Sequence, residues 1–296
     1  MDLLPPQELA QLGGVELVAR GVVEGFLQGL HSSPHRGFSA TFADHRSYQP
    51  GDDLRHLDWR MLGRSGRLFV KQFEEETNLR AYLLLDLSAS MGWSSRPGDL
   101  PSKDWFARQL AAALALLLLR QGDSVGLITF QDRILDRLAT RGGSTQWPEL
   151  IRRLEAPGAG GDTQAASAIR DVALRLRRRG LVILLSDLVV EPEETIRALR
   201  FLRHRGHHVL VFQILDPGEL DLKGGGEALL RDPESGEELR VRVQDHREAY
   251  RRAMEGSIQE WHRELRKSGM DHHLVLSDAP FSSSLRNCLS KRSRLS

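Results

Sequence analysis

The stretch Ala81-Tyr82-Leu83-Leu84-Leu85-Asp86-Leu87-Ser88-Ala89-Ser90-Met91 decides how the rest of the chain is read. Ala81–Leu85 is a continuous apolar run with no alternation, the pattern of a parallel strand covered on both faces. A carboxylate and two hydroxyls follow at once. In an open parallel sheet, ligands bind in the crevice beyond the carboxyl ends of the strands, which is where Asp86 falls. Alternate spacing of Asp86, Ser88 and Ser90 turns three oxygen donors toward one point of a tight loop. A hard cation such as Mg²⁺ takes oxygen ligands in octahedral geometry and keeps several waters.

Working outward, the same strand pattern recurs at Ser124–Phe130, Leu181–Leu185, His208–Leu215 and His273–Leu276. Helix-like segments lie between the strands, at 103–121, 163–179, 192–204 and 246–268. The first of these follows Pro101, precedes Gly122 and is apolar nearly all round, which places it deep in the core. Strand and helix alternate, so the fold class is α/β: a doubly wound, mostly parallel sheet flanked by helices, with a small β-containing appendage. The expected division is an N-terminal appendage at 1–79 and a sheet domain at 80–296 carrying a hairpin insertion at 227–243. The appendage holds a helix at Gly14–Leu30 and strand-like runs at Gly37–Phe42 and Leu68–Phe73. The hairpin turns at Asp232-Pro233-Glu234-Ser235-Gly236.

Two further oxygen donors fall where this topology puts them near Asp86. Asp187 follows the strand Leu181–Leu185. Thr163 opens a helix after Gly160-Gly161-Asp162, glycines that let the backbone approach closely.

Composition narrows the function classes. The chain has 296 residues, 40% hydrophobic and 27% charged, ample for a buried core. With 41 basic and 40 acidic residues its net charge is +1, so no global field draws it to nucleic acid or anionic lipid. One cysteine, Cys288, excludes an internal disulfide and a cysteine-based zinc site, and nothing nearby activates it. Met1–Leu12 lacks the pattern of a signal peptide, and the apolar stretch Leu110–Leu119 is about half the roughly 20 residues a membrane span requires. A cytoplasmic location follows as the expectation. The basic runs Arg175–Arg179 and Lys291–Arg294 read as solvated faces, the first favoured at a helix C-terminus. Trp147 and Trp261 read as packing residues.

Asp-x-Ser-x-Ser after a strand, a glycine-rich Thr loop and an Asp after a later strand together resemble the metal-ion-dependent adhesion site of von Willebrand A domains. The resemblance implies that Ser88 and Ser90 bind the cation through hydroxyls, and that Thr163 adds a third in one conformational state. It implies that Asp86 and Asp187 act through water or as acceptors behind the ligands, and that an open position takes an Asp or Glu from a protein partner. The cation implied is Mg²⁺, with Mn²⁺ or Ca²⁺ as alternatives. Leu188 departs from the pattern, since many adhesion domains have Gly after this Asp. Upstream, His45-Arg46-Ser47-Tyr48-Gln49-Pro50-Gly51-Asp52-Asp53, Arg55-His56-Leu57-Asp58-Trp59 and Phe73-Glu74-Glu75-Glu76 resemble the bacterial group known as domain of unknown function fifty-eight. Members are typically encoded beside MoxR-type AAA+ ATPases, often with other von Willebrand A proteins, which implies a partner role in ATPase-assisted maturation or assembly.

The competing classes are weaker on the residues. An aspartyl phosphatase needs a second acid where Ser88 stands, and a hydroxyl is a poor acid near neutral pH. Neither serine lies in a Gly-x-Ser-x-Gly elbow, and no phosphate-cradling loop is present. The expectation is therefore a binding module and not an enzyme, with a metal-dependent phosphoester hydrolase using Asp86 or a nucleic-acid-associated module as alternatives.

Overall fold

The computed structural model describes residues 5–11, 13–32, 45–48, 59–71, 79–158, 165–222, 226–231 and 236–295. In chain order the helices are α1 (Pro6–Leu9), α2 (Val15–Ser32), α3 (Trp59–Ser65), α4 (Lys103–Arg120), α5 (Gln146–Leu154), α6 (Ala165–Arg175), α7 (Pro192–His204), α8 (Val243–Lys267) and α9 (Ser282–Ser293). The strands are β1 (His45–Ser47), β2 (Phe69–Lys71), β3 (Arg80–Asp86), β4 (Ser124–Phe130), β5 (Ile134–Arg141), β6 (Leu181–Ser186), β7 (His208–Leu215), β8 (Glu227–Arg231), β9 (Glu238–Arg242) and β10 (Asp271–Leu276).

Six strands form the central sheet in the order β10-β7-β6-β3-β4-β5. All neighbours are parallel except β4 and β5, which form an antiparallel edge with two register shifts. The expected α/β doubly wound sheet is therefore the observed one. The antiparallel edge strand β5 was not expected. None of its residues is buried, and it carries Asp136, Arg137 and Arg141, so it shows no apolar run to read. Helices α5 and α9 were likewise unexpected, α6 ends at Arg175 and not at 179, and α8 begins at Val243.

Period-two alternation sorts the strand residues between two cores. Leu83 and Leu85 face one side, with α2, α4, α5 and α9. Tyr82 and Leu84 face the other, with α6, α7 and α8. Truncating a fully buried leucine such as Leu84 to Ala costs about 2–5 kcal/mol in cores of this kind. Helix α4 is capped by Ser102, whose hydroxyl accepts from the Trp105 amide at 3.2 Å. It stops at Gly122, whose φ of +82° a side chain would resist. As its composition predicts, residues 106–118 of α4 are buried without a break.

The appendage region divides. Val18, Ala19, Val22, Val23 and Phe26 of α2 belong to the same core as α4, whereas β1 and β2 pair only with each other. The hairpin appears as the antiparallel pair β8–β9, a two-stranded sheet of its own. The Gly37–Phe42 run, most of 45–59 and the hairpin tip 232–235 lie outside the described residues. Among the described residues no helix is long and apolar enough to cross a membrane.

Candidate metal centre at the carboxyl rim of the sheet

Strands β3 and β6 are adjacent and parallel, with Leu85 opposite Leu185. Their carboxyl ends therefore deliver Asp86 and the Ser186-Asp187 pair side by side. After Asp86 the chain enters a short 3₁₀ turn at Ala89–Gly92, which folds Ser88 and Ser90 back over the strand end.

The Asp86 carboxylate accepts one hydrogen bond on each oxygen within the fold. One oxygen accepts from the Ser88 amide at 2.9 Å and the other from the Ser186 hydroxyl at 2.7 Å. Burial, with the charge of Asp187 added, pushes its carboxyl up to about 7. The Ser88 and Ser90 hydroxyl oxygens lie 3.1 Å apart. Two cis ligands on an octahedral cation with bonds of about 2.1 Å lie about 3.0 Å apart, so the spacing fits a shared Mg²⁺. Asp187 accepts from the Val189 amide at 3.1 Å through one oxygen and from the Lys103 ammonium at 2.8 Å through the other.

Lys103 is the residue that sequence reading missed. It opens α4 with 0% exposure and bridges Asp187 to Glu219, 2.5 Å from the Glu219 carboxylate. Burial alone would pull its pKa down, but the two carboxylates carry it above the usual lysine value. Glu219 is itself pushed up by burial, partly offset by Lys103. It sits in the turn Asp216-Pro217-Gly218-Glu219 after β7, held by a reciprocal cap: the Asp216 side chain accepts from the Gly218 amide and the Glu219 side chain from the Asp216 amide, both at 2.7 Å. The signal was available, because Asp216 also lies at a strand's carboxyl end. A lysine beginning an apolar helix reads as a solvated tip.

The structure thus brings together Asp86, Ser88, Ser90 and Asp187. Thr163, with Asp162, lies outside the described residues. All four side chains are buried: Asp86 and Ser88 are 0% exposed, Asp187 1% and Ser90 5%. The physical reason is that each carboxylate is turned inward, Asp86 to Ser186 and Asp187 to Lys103. Among the described residues no three His, Cys, Asp or Glu side chains form a group that could hold a metal ion. Leu188 adopts φ of +58°, which explains why Gly suits this position elsewhere. A branched side chain in that region costs about 1–2 kcal/mol.

Other candidates resolve into structure. Arg292 and Lys291 of the C-terminal basic run pair with Asp123 at 2.6 Å and Asp271 at 2.7 Å, so that run is not simply a solvated face. Trp261 is buried in the core on the α6–α8 side of the sheet, and Trp147 in the core on the opposite side, where it donates to Glu16 at 3.0 Å. Burial pushes the Cys288 thiol up to about 12, leaving it inert.

A model of the family described as protein of unknown function DUF58 matches residues 44–263. An uncharacterized protein of Mycobacterium tuberculosis is 30% identical over 238 residues, 79% of this chain and 74% of the relative. Uncharacterized protein YeaD of Bacillus subtilis is 40% identical over 60 residues, 20% of this chain and 15% of the relative. Among solved structures, an aerotolerance-related membrane protein from Bacteroides fragilis is 16% identical with TM-score 0.51, covering 73% of this chain and 99% of that one. The SpRpn10 VWA domain is 14% identical with TM-score 0.41, covering 71% and 95%.

Proposed function

This chain belongs to the DUF58 family, and we propose that it is a von Willebrand A-like protein-interaction module whose contact with its partner runs through a divalent cation. The observation that carries this reading is the buried Ser88–Ser90 hydroxyl pair, 3.1 Å apart between two strand-end aspartates. Ser88 and Ser90 would hold Mg²⁺ directly, with Thr163 as a third hydroxyl. Asp86 and Asp187 supply negative charge from behind, because their oxygens already accept hydrogen bonds within the fold. A cation held mainly by neutral hydroxyls keeps most of its positive charge, and so attracts an Asp or Glu from a partner.

Burial argues against catalysis by Asp86: its carboxylate is 0% exposed and is held by the Ser88 amide and the Ser186 hydroxyl. The proposed partner is a MoxR-type AAA+ ATPase, or a protein that such an ATPase matures or assembles. The test is capture of the neighbouring ATPase by the full chain in Mg²⁺ and in chelator. The reading expects capture that chelator abolishes, and that Ser88→Ala and Asp86→Ala reduce at least about tenfold. Unchanged capture by both variants would overturn it.

A further inference from the structure

Gln213, near the end of β7, joins two polar sites through one amide. Its Nε2 donates to the Asp187 carbonyl at 3.3 Å, and its Oε1 lies 3.1 Å from His272 Nε2. A carbonyl only accepts, which fixes the orientation of the amide; an amide oxygen only accepts, which places the proton of His272 on Nε2. The neutral His272 ring therefore carries its lone pair on Nδ1. Burial keeps the ring neutral at physiological pH, holding its pKa down to about 4.

That lone pair faces His262 of α8, with the two Nδ1 atoms 3.4 Å apart. The rings meet by their edges, with centroids 5.6 Å apart and planes inclined by 56°. Without a metal, a proton on His262 Nδ1 can donate to the Nδ1 lone pair of His272, and that proton is what a cation would displace. Two nitrogens each about 2.05 Å from one tetrahedral ion lie about 3.3 Å apart. The pair opens into a groove of about 410 Å³ between α8 and β10, with Ile258 and Leu274 in its apolar wall. Gln259 also lines the groove, three residues before His262 and so on the same helical face. The Arg263 guanidinium at the groove's edge is countered by Glu264 at 3.4 Å and Glu260 at 4.0 Å.

We propose that His262 and His272 chelate a divalent transition cation of the Zn²⁺ class through their Nδ1 atoms, with Gln213 as the positioning residue for His272. Water or an added ligand fills the remaining positions. A ligating imidazole ordinarily donates its other N–H to an oxygen that fixes the ring, as His272 does to Gln213. Imidazole nitrogen selects Zn²⁺ over Mg²⁺, so this site and the hydroxyl site take different metals.

The test is calorimetric titration of the full chain with Zn²⁺ in saturating Mg²⁺, with Co²⁺ substitution read by visible absorption. The expected result is one Zn²⁺ per chain and the intense absorption of tetrahedral Co²⁺. His262→Ala alters an exposed side chain and should weaken Zn²⁺ binding by at least about tenfold, with loss of the Co²⁺ spectrum. Gln213→Ala should weaken it by about tenfold, and the double variant Ser88→Ala/Ser90→Ala should leave it unchanged. Absence of Zn²⁺ binding in the unaltered chain, or undiminished binding in His262→Ala, would overturn the proposal.

Discussion

The two rims of the sheet bury charge in opposite ways. At the amino-end rim, Asp123 is 0% exposed and forms a two-point pair with Arg292, at 2.6 and 3.0 Å, while the Leu79 amide adds a third contact at 3.2 Å. One carboxylate meets one guanidinium. At the carboxyl-end rim, Asp86, Asp187, Asp216 and Glu219 share the rim with the ammonium of Lys103. The first arrangement is complete and needs nothing further. The second holds more negative than positive charge beside two hydroxyls, and is the one that a cation would improve.

The largest expected effect breaks the complete rim. Arg292→Ala leaves Asp123 buried and unpaired, and should lower unfolding free energy by about 3–5 kcal/mol. Denaturant titration checks this, and added Mg²⁺ should restore none of the loss. Lys103→Met makes the parallel cut at the other rim, with an expected loss of about 3 kcal/mol. Here Mg²⁺ should recover part of it, because a bound cation supplies the charge that Asp187 has lost; equal behaviour of the two variants would erase the distinction between the rims.

Removing charge should act in the opposite direction at the carboxyl-end rim. The folded chain holds the Asp86 proton up to about pH 7, whereas the unfolded chain releases it near the ordinary value of 3.8. Metal-free stability therefore falls as pH rises through that window. Asp86→Asn should flatten the profile and raise metal-free stability by about 2 kcal/mol at about pH 8, while cancelling stabilisation by Mg²⁺. Thermal melts across pH with and without chelator read both outcomes. The smallest effect lies at the amino-end rim, just before β7. Burial, with Arg205 nearby, holds the His207 imidazole below its usual value. The unfolded chain protonates this ring first as pH falls below about 6.5, so stability drains away below that point by about 1 kcal/mol or less. His207→Gln should remove this acid-side slope in the same melts.

Much of this was legible in the chain. Strands β3, β4, β6 and β7 are covered on both faces, so they are mostly apolar even where Thr129 or Gln213 interrupts, and Asp86 and Asp187 follow from where the runs of β3 and β6 end. Strand β5 was not legible because, at the sheet edge, none of its residues is buried and it carries Asp136, Arg137 and Arg141. Strand β10 was read two residues short because Asp271 and His272 are polar; His272 is nonetheless buried, its ring satisfied by Gln213. Lys103 escaped because only the fold brings it to Asp187 and Glu219, 84 and 116 residues away along the chain. The burial of Asp86 and Asp187 is also a product of tertiary contacts, since local sequence does not say which way a carboxylate turns.

The most direct test of a cation held by Ser88 and Ser90 is a Mn²⁺ titration of the full chain read by electron paramagnetic resonance. The account predicts one bound Mn²⁺ per chain, displaced by Mg²⁺ and lost in Ser88→Ala/Ser90→Ala. Identical Mn²⁺ binding by the unaltered chain and the double variant would contradict it.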